Sequence, residues 1–312
     1  MSYRFTLEPY KTMKTIHICP NCEKRTFTRY IDTESNNEYL HSNVGKCSRQ
    51  IKCNYHYTPK QYFQDTNFKI EYKFKPVQIV KQPPPKQPSF INPSLVDKSL
   101  ENNDNNFIHF LETKLFGKEI TKELIKEYKI GTSNVWKGST IFWQIDTNSK
   151  VKTGKIMLYN KDTGKRIKKP YNHINWVHKT EKINDFNLEQ CYFGLHLINK
   201  YKDLPIAIVE SEKTAIISSV YLPEFVWLAC GSINNLTKEK TKVLKGRNVV
   251  LFPDLRGYQL WKNKIPQLSK LANYRISELL ERKATEYEKK QGYDLADYLI
   301  NLNIDYKNAI FS

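Results

Sequence analysis

The sequence predicts an α/β chain in three folded parts: a cysteine-clamped β-ribbon first, a mixed α+β region next, and a parallel sheet covered on both faces last. Three observations predict it. Four of the six cysteines fall in one short stretch, Cys19 to Cys53. Between 139 and 178, short aromatic and β-branched runs alternate with turn residues. From 188 onward, continuous apolar runs alternate with amphipathic ones, the pattern of strands buried on both sides by helices.

The ribbon comes first in the chain, over residues 1–77. Its cysteines stand as Cys19-Pro-Asn-Cys22, then Cys47, then Cys53-Asn-Tyr-His56. A C-x-x-C pair lets two thiolates reach one tetrahedral Zn²⁺ from a tight turn, and a second pair must arrive from another hairpin. The stretch between, KRTFTRYIDTESNNEYLHSNVGK, alternates in β fashion around a polar turn. The expected ligands are Cys19, Cys22, Cys47 and Cys53, with His56 as an alternate that gives a Cys₃His set. Four protein ligands leave no open position, so the expected Zn²⁺ is structural and holds a ribbon too small to fold on its own core. Lys24, Arg25, Arg29, Lys46, Arg49 and Lys52 surround it. Contact with nucleic acid and a plain solvated face are both open there.

Residues 78–106 read QIVKQPPPKQPSFINPSLVDKSLENNDNN, rich in Pro and then in Asn and Asp. Pro favours extended polyproline geometry, so an exposed, semi-rigid linker is expected. The α+β region, 107–187, begins with FIHFLETKLFGKEITKELIKEYK. Phe107, Phe110, Leu111 and Leu115, then Ile120, Leu124 and Ile125, are spaced for a helix face over 107–129, with Thr121 able to cap its second part. STIFWQID, GKIMLYN, RIKKPY and INWVH follow as strands, joined by DTNSK and KDTGK turns, and predict an antiparallel meander.

Residues 188–312 predict a helix at 188–201, the strand PIAIVE, the helix KTAIISSVYL and the strands FVWLAC and NVVLFPD. A long helix from Leu260, a fourth short strand NYRIS and the helical segments ELLERKATEYEKKQG and LADYLINL complete the series. Open parallel sheets place chemistry at the carboxyl ends of their strands. Glu210 ends one strand, Asp254 ends another, and Asp294 and Asp297 precede and open the last helix. Carboxylates gathered there suit Mg²⁺ or Mn²⁺ and substrate phosphates.

The charge balance agrees. Lys and Arg number 50 against 32 Asp and Glu, a net charge of +18. Such an excess favours a polyanionic partner, since each neutralised phosphate releases counterions. YNKDTGKRIKKPYNHINWVHK interleaves cations with Tyr, His and Trp, types that track phosphates and stack on unpaired bases. No Walker A sequence, no G-x-S-x-G elbow and no second His/Cys cluster occurs. No run approaches the roughly 20 apolar residues of a membrane span, so a cytoplasmic protein with no membrane partner is expected. Cys191 and Cys230 read as buried apolar residues.

Four of these segments carry a resemblance. VESEKTA at 209–215 resembles the glutamate motif of Toprim domains, and ACG at 229–231 resembles their glycine turn. LFPDLRG at 251–257 stands where that family has D-x-D, and GYDLADYL at 292–299 resembles the late acidic segment of its primase-type members. A zinc ribbon ahead of such a domain is similar to the bacterial-primase order. IGTSN, FWQID, GKIMLYN and TGKR resemble Toprim-type proteins of mobile elements and phages. The resemblance implies a Toprim-like Rossmannoid sheet over 188–312. It implies Glu210 as general acid/base or metal-linked glutamate, Asp254 as first metal aspartate, and Asp294 or Asp297 completing the site. Nucleic-acid contacts are then expected from Lys165, Arg166, Lys168, Lys169, Lys213 and Arg256.

One departure matters. The second aspartate of D-x-D is Arg256, and a cation beside a metal costs several kcal/mol at an effective dielectric of about 20. Arg256 could instead contact phosphate. Three readings therefore stand. One is a primase-like nucleotidyltransferase, acting on single-stranded DNA in the replication or maintenance of a mobile element. Another is a catalytically degenerate module that binds nucleic acid or a replication protein. The last is a Toprim nuclease in conflict between phages and elements.

Overall fold

The structure is a computed structural model that describes residues 3–50, 52–66, 86–102 and 104–301. The chain forms two compact units, Met1–Pro83 and Pro84–Ser312.

The first unit is a β-ribbon. Strands β1 (Phe5–Leu7), β2 (His17–Ile18), β3 (Arg25–Asp32), β4 (Glu38–Tyr39), β5 (Gly45–Cys47) and β6 (His56–Tyr57) form one antiparallel sheet. β3 is its spine and pairs with β1, β2, β4 and β5. Its core is small, built on Phe27 beside the fully buried Cys19 and Cys47. Helix α1 (Pro59–Asp65) closes the unit with a Thr58–Gln61 capping box, each side chain serving the other's backbone N–H.

The second unit begins where a linker was expected. Residues 78–85 and 103 lie outside the described residues, but 86–102 is not an exposed coil. Ile91 is buried and bonds to Val151 through its backbone N–H at 2.8 Å. Helix α2 (Ser94–Glu101) buries Val96, and Ser99 accepts from the Trp143 indole at 3.0 Å. The Pro-rich composition hid the apolar pair that anchors this stretch.

The expected helix over 107–129 is present in pieces. Asn105 caps α3 (Asn106–Phe110) by accepting from Phe107 and Ile108. A π-helical turn covers Leu111–Phe116, the run breaks at Gly117 (φ +78°), and α4 (Gly117–Tyr128) follows. Strands β7 (Ile130–Ser133), β8 (Ser139–Ile145), β9 (Val151–Met157) and β10 (Ile174–Trp176) form the antiparallel meander in the order β10-β9-β8-β7. RIKKPY is loop rather than strand, with an isolated bridge between Arg166 and Tyr159, just beyond β9. Helix α5 (Val177–Thr180) packs against β9.

The C-terminal half holds a wholly parallel four-stranded sheet, β12-β11-β13-β14. Its strands are β11 (Ile206–Val209), β12 (Val226–Ala229), β13 (Asn248–Leu251) and β14 (Asn273–Ile276). All four residues of β11 and of β12 are buried, as a doubly covered sheet requires. Helix α6 (Glu212–Tyr221) links β11 to β12, and short α7 (Lys238–Thr241) precedes β13. The helix expected at 188–201 is only a 3₁₀ turn, Leu195–Asn199. Phe193 exchanges backbone hydrogen bonds with Ala229, which holds the preceding chain extended along β12. The long helix expected from Leu260 is two short ones, α8 (Tyr258–Lys262) and α9 (Ile265–Leu268). Pro266 has no N–H to continue the ladder, and serves at the start of α9. Helices α10 (Leu279–Lys283), α11 (Glu286–Gln291) and α12 (Leu295–Leu299) end the described chain. No described helix is long and apolar enough to cross a membrane.

Candidate functional site

In the ribbon, the turn Cys19–Cys22 and the segment Cys47–Cys53 bring four sulfurs within 4.8 Å of one another. Cys19 and Cys53 stand 3.6 Å apart, Cys22 and Cys47 4.0 Å. Zn–S bonds of about 2.3 Å in a tetrahedron put sulfurs about 3.8 Å apart, so the cluster fits Zn²⁺. The surrounding donors fit it too. The Arg49 N–H and the Asn21 amide point at Cys47 and Cys53, both at 3.4 Å. Burial pushes the Cys19 thiol up to about 11. Burial also acts on Cys22, but N–H donation from Lys24 and Arg49 outweighs it and lowers that thiol to about 6. The expected alternate, His56, lies elsewhere: its Nε2 is 3.0 Å from the Tyr30 hydroxyl and its ring stacks on Tyr30.

In the second unit, the carboxyl ends of β11 and β13 open into a cavity of about 770 Å³. Six carboxylates line it: Asp162, Glu210, Glu212, Asp254, Asp294 and Asp297. Six cations face them: Lys114, Lys155, Lys165, Arg166, Lys168 and Lys213. All four sequence-predicted acids are thus brought to one cavity, with four of the six expected cations. Lys169 and Arg256 are not in its lining. Arg256 lies against Gly292 and donates Nε to the Lys289 carbonyl at 3.2 Å, near the end of α11.

The acids differ in how they are engaged. Asp294 caps α12, accepting from the Asp297 N–H at 3.0 Å, while Asp297 accepts from the Asp294 N–H at 3.0 Å. The other Asp294 oxygen accepts from Thr214 at 2.8 Å, which ties α12 to α6. Lys213 Nζ stands 3.9 Å from the remaining Asp297 oxygen. Asp254 is the opposite case, because its Oδ1 is closed from solvent with no hydrogen-bond partner. Burial, then the charges of Asp294, Glu210 and Asp297, hold its carboxyl well above the usual range against the pull of Lys213. Burial also raises Glu210, opposed by Arg166, Lys155 and the Ile233 N–H. Among the described residues, only the four cysteines converge closely enough for three or more side chains to share one metal directly.

The raised pKa of Asp254 has a stability consequence. Between the unfolded value of about 3.9 and the higher folded value, the native state keeps a proton that the unfolded chain releases. Stability therefore falls as pH rises through that window. Asp254→Asn removes the penalty and should melt higher than the parent at pH 8, with the two converging near pH 4. Melting curves from pH 4 to 8 check this, and a variant less stable at pH 8 contradicts it.

Sequence reasoning passed over Lys155. It sits on β9, every residue of which is buried, and its Nζ meets Glu212 at 3.0 and 3.1 Å and the Gly231 carbonyl at 3.3 Å. The ammonium thus joins the meander to the start of α6. A Cβ on Gly231 would stand 3.2 Å from Glu212 Oε1, so the turn after β12 leaves this pair little spare room. The legible signal was a lysine inside an apolar strand.

The basic loop after β9 is fixed by an Asn160 turn, whose side chain accepts from Asp162 and Thr163 at 2.9 Å. Gly164 takes φ +60°, and a Cβ there would lie 2.4 Å from the Phe110 ring. Gly164→Ala should cost about 1–3 kcal/mol through backbone strain and overpacking. Urea denaturation measures it, and an unchanged midpoint would show that the loop is not held there.

Comparison with known proteins adds the following. Residues 105–255 match a family described as a domain of unknown function, DUF6371, and residues 3–68 match a zinc beta-ribbon finger family. No curated protein matches the chain. Solved structures similar to it are primase catalytic cores. The RNA polymerase domain of Mycobacterium tuberculosis primase DnaG is 8% identical with a TM-score of 0.41, over 64% of this chain and 80% of that one. The Aquifex aeolicus primase zinc-binding and RNA polymerase domains are 13% identical at 0.36, over 95% and 80%. The primase fragment of the bacteriophage T7 primase-helicase protein is 10% identical at 0.36, over 89% and 98%. The described chain is a mixed α/β fold, with a zinc-ribbon match and a four-cysteine cluster at its N-terminal end.

Proposed function

We propose that the second unit is a Toprim-like centre that handles nucleic acid by metal-assisted phosphoryl transfer, as a primase-like nucleotidyltransferase. One observation carries this reading: six carboxylates and six cations share one cavity at the carboxyl ends of parallel strands. The motif resemblance at 209–215, 229–231, 251–257 and 292–299 supports it. Glu210 and Asp254 are the residues to hold Mg²⁺, since Asp294 and Asp297 are engaged in capping α12. Mg²⁺ commonly binds one or two carboxylates and fills its remaining positions with water and phosphate, which suits this donor set. When bound, it supplies positive charge to phosphate oxygens. Lys165, Arg166 and Lys213, which line the same cavity, orient the phosphates. The expected setting is the replication or maintenance of a mobile element.

A second reading has its own support. The engagement of Asp294 and Asp297 as a capping box suits a fold kept for binding alone. Primer synthesis on single-stranded DNA with Mg²⁺ or Mn²⁺ separates the two. The enzyme reading expects synthesis that drops at least about 100-fold in Asp254→Ala. Absence of synthesis, with oligonucleotide binding intact in Glu210→Ala and Asp254→Ala, establishes the binding module instead. Plasmid nicking without synthesis points to the nuclease.

A further inference from the structure

The loop that walls the cavity continues into a surface the acidic site does not use. From Thr163 to Thr180 there is no Asp or Glu, but there are five cations, Lys165, Arg166, Lys168, Lys169 and Lys179. Three residues beyond Lys168, the ring of Tyr171 lies on that of His173, with centroids 4.5 Å apart and planes at 28°. His173 in turn meets Trp136 edge-on at 5.1 Å and 80°. The pile has a fixed base. Trp136 packs against the cluster that contains Val96, Trp143 and Val177. His173 Nδ1 lies 3.2 Å from the Ile167 carbonyl, so that nitrogen carries the hydrogen and the ring orientation is set. The outer member is left open, with Tyr171 55% exposed.

Single exposed rings are common on protein surfaces, so the setting of this pile decides its meaning. This one ends in an exposed phenol on an acid-free basic hairpin, at most about 10 Å of extended chain from a residue of the cavity wall. We propose that Tyr171, backed by His173 and Trp136, is a stacking platform for an unpaired base of a single nucleic-acid strand. The phosphates of that strand run over Lys168, Arg166 and Lys165 into the acidic cavity. A duplex has no free base face to offer such a ring, whereas every unpaired base does. The proposal rests on the nucleic-acid reading above and adds the strandedness of the ligand and the residue that selects it.

The test uses the full chain and a fluorescein-labelled oligodeoxythymidylate, read by anisotropy over a salt series. A backbone of equal length with abasic sites and a duplex of the same length serve as further probes. Tyr171→Ala should weaken the oligodeoxythymidylate about 5- to 150-fold, the range of one base–aromatic stack. It should leave the salt slope and abasic-strand binding unchanged, and Tyr171→Phe should bind like the parent. Lys165→Ala should instead lower the salt slope by about 0.7. Equal binding by parent and Tyr171→Ala overturns the platform, as does equal weakening of base-bearing and abasic strands, or a preference for duplex. Divalent-ion binding by Tyr171→Ala is read in parallel. If it persists, a negative result falls on the platform and not on the acidic centre.

Discussion

Stripping metal from the cysteine cluster should unfold the ribbon and leave the α/β unit standing. The ribbon has a small core: among its described residues Cys19, Phe27, Val44 and Cys47 are fully buried and Ile31 nearly so. The two cysteine turns converge at the four sulfurs. Structural Zn²⁺ in comparable small ribbons contributes about 10–16 kcal/mol of apparent binding energy, which is folding energy when no site exists in the unfolded chain. Residues 84–312 draw on a separate core and hold all five tryptophans, at 136, 143, 176, 227 and 261. Chelation should therefore expose residues 3–66 to protease while tryptophan emission stays native. Cys47→Ala should do the same without a chelator. Protection of the ribbon after metal removal would show that its hydrogen bonds suffice.

Breaking the Lys155–Glu212 pair should be the most damaging single change in the second unit. The two side chains are 10% and 2% exposed, so removing one strands the other's charge. Loss of one partner of a buried pair typically costs about 3–5 kcal/mol, while replacing both with apolar residues of similar volume is often neutral or stabilising. Lys155→Ala and Glu212→Ala should each lower the unfolding free energy from urea denaturation by that amount, and Lys155→Met with Glu212→Leu should recover most of it. The tryptophans report this unit alone, so the measurement is free of the ribbon. Single variants within about 0.5 kcal/mol of the parent would mean the pair is solvated and carries no structural load.

The periodic parts of the chain were legible. IAIV, VWLA and NVVL read as parallel strands because burial on both faces leaves no polar alternation, and the meander read from its turns. What misled was composition without tertiary context. The Pro-rich stretch before 107 looked like coil, yet Ile91 and Val96 find apolar partners in β9 and its neighbours. The helix face from 107 looked continuous, yet Gly117 interrupts it. At the site, strand-end position located Glu210 and Asp254. The Asp294–Asp297 capping box is local, but the Thr214–Asp294 bond, the Lys155–Glu212 pair and the bond from Arg256 to the Lys289 carbonyl join residues 33 to 80 apart in sequence. No local pattern encodes those.

The central claim is that Glu210 and Asp254 form a divalent-ion centre. The most direct measurement is calorimetric titration of Mn²⁺ or Mg²⁺ into the zinc-loaded protein, parent against Glu210→Ala and Asp254→Ala. A single site in the parent that is lost in both variants is the predicted result. No divalent binding by the parent, or a site untouched by either substitution, would contradict it.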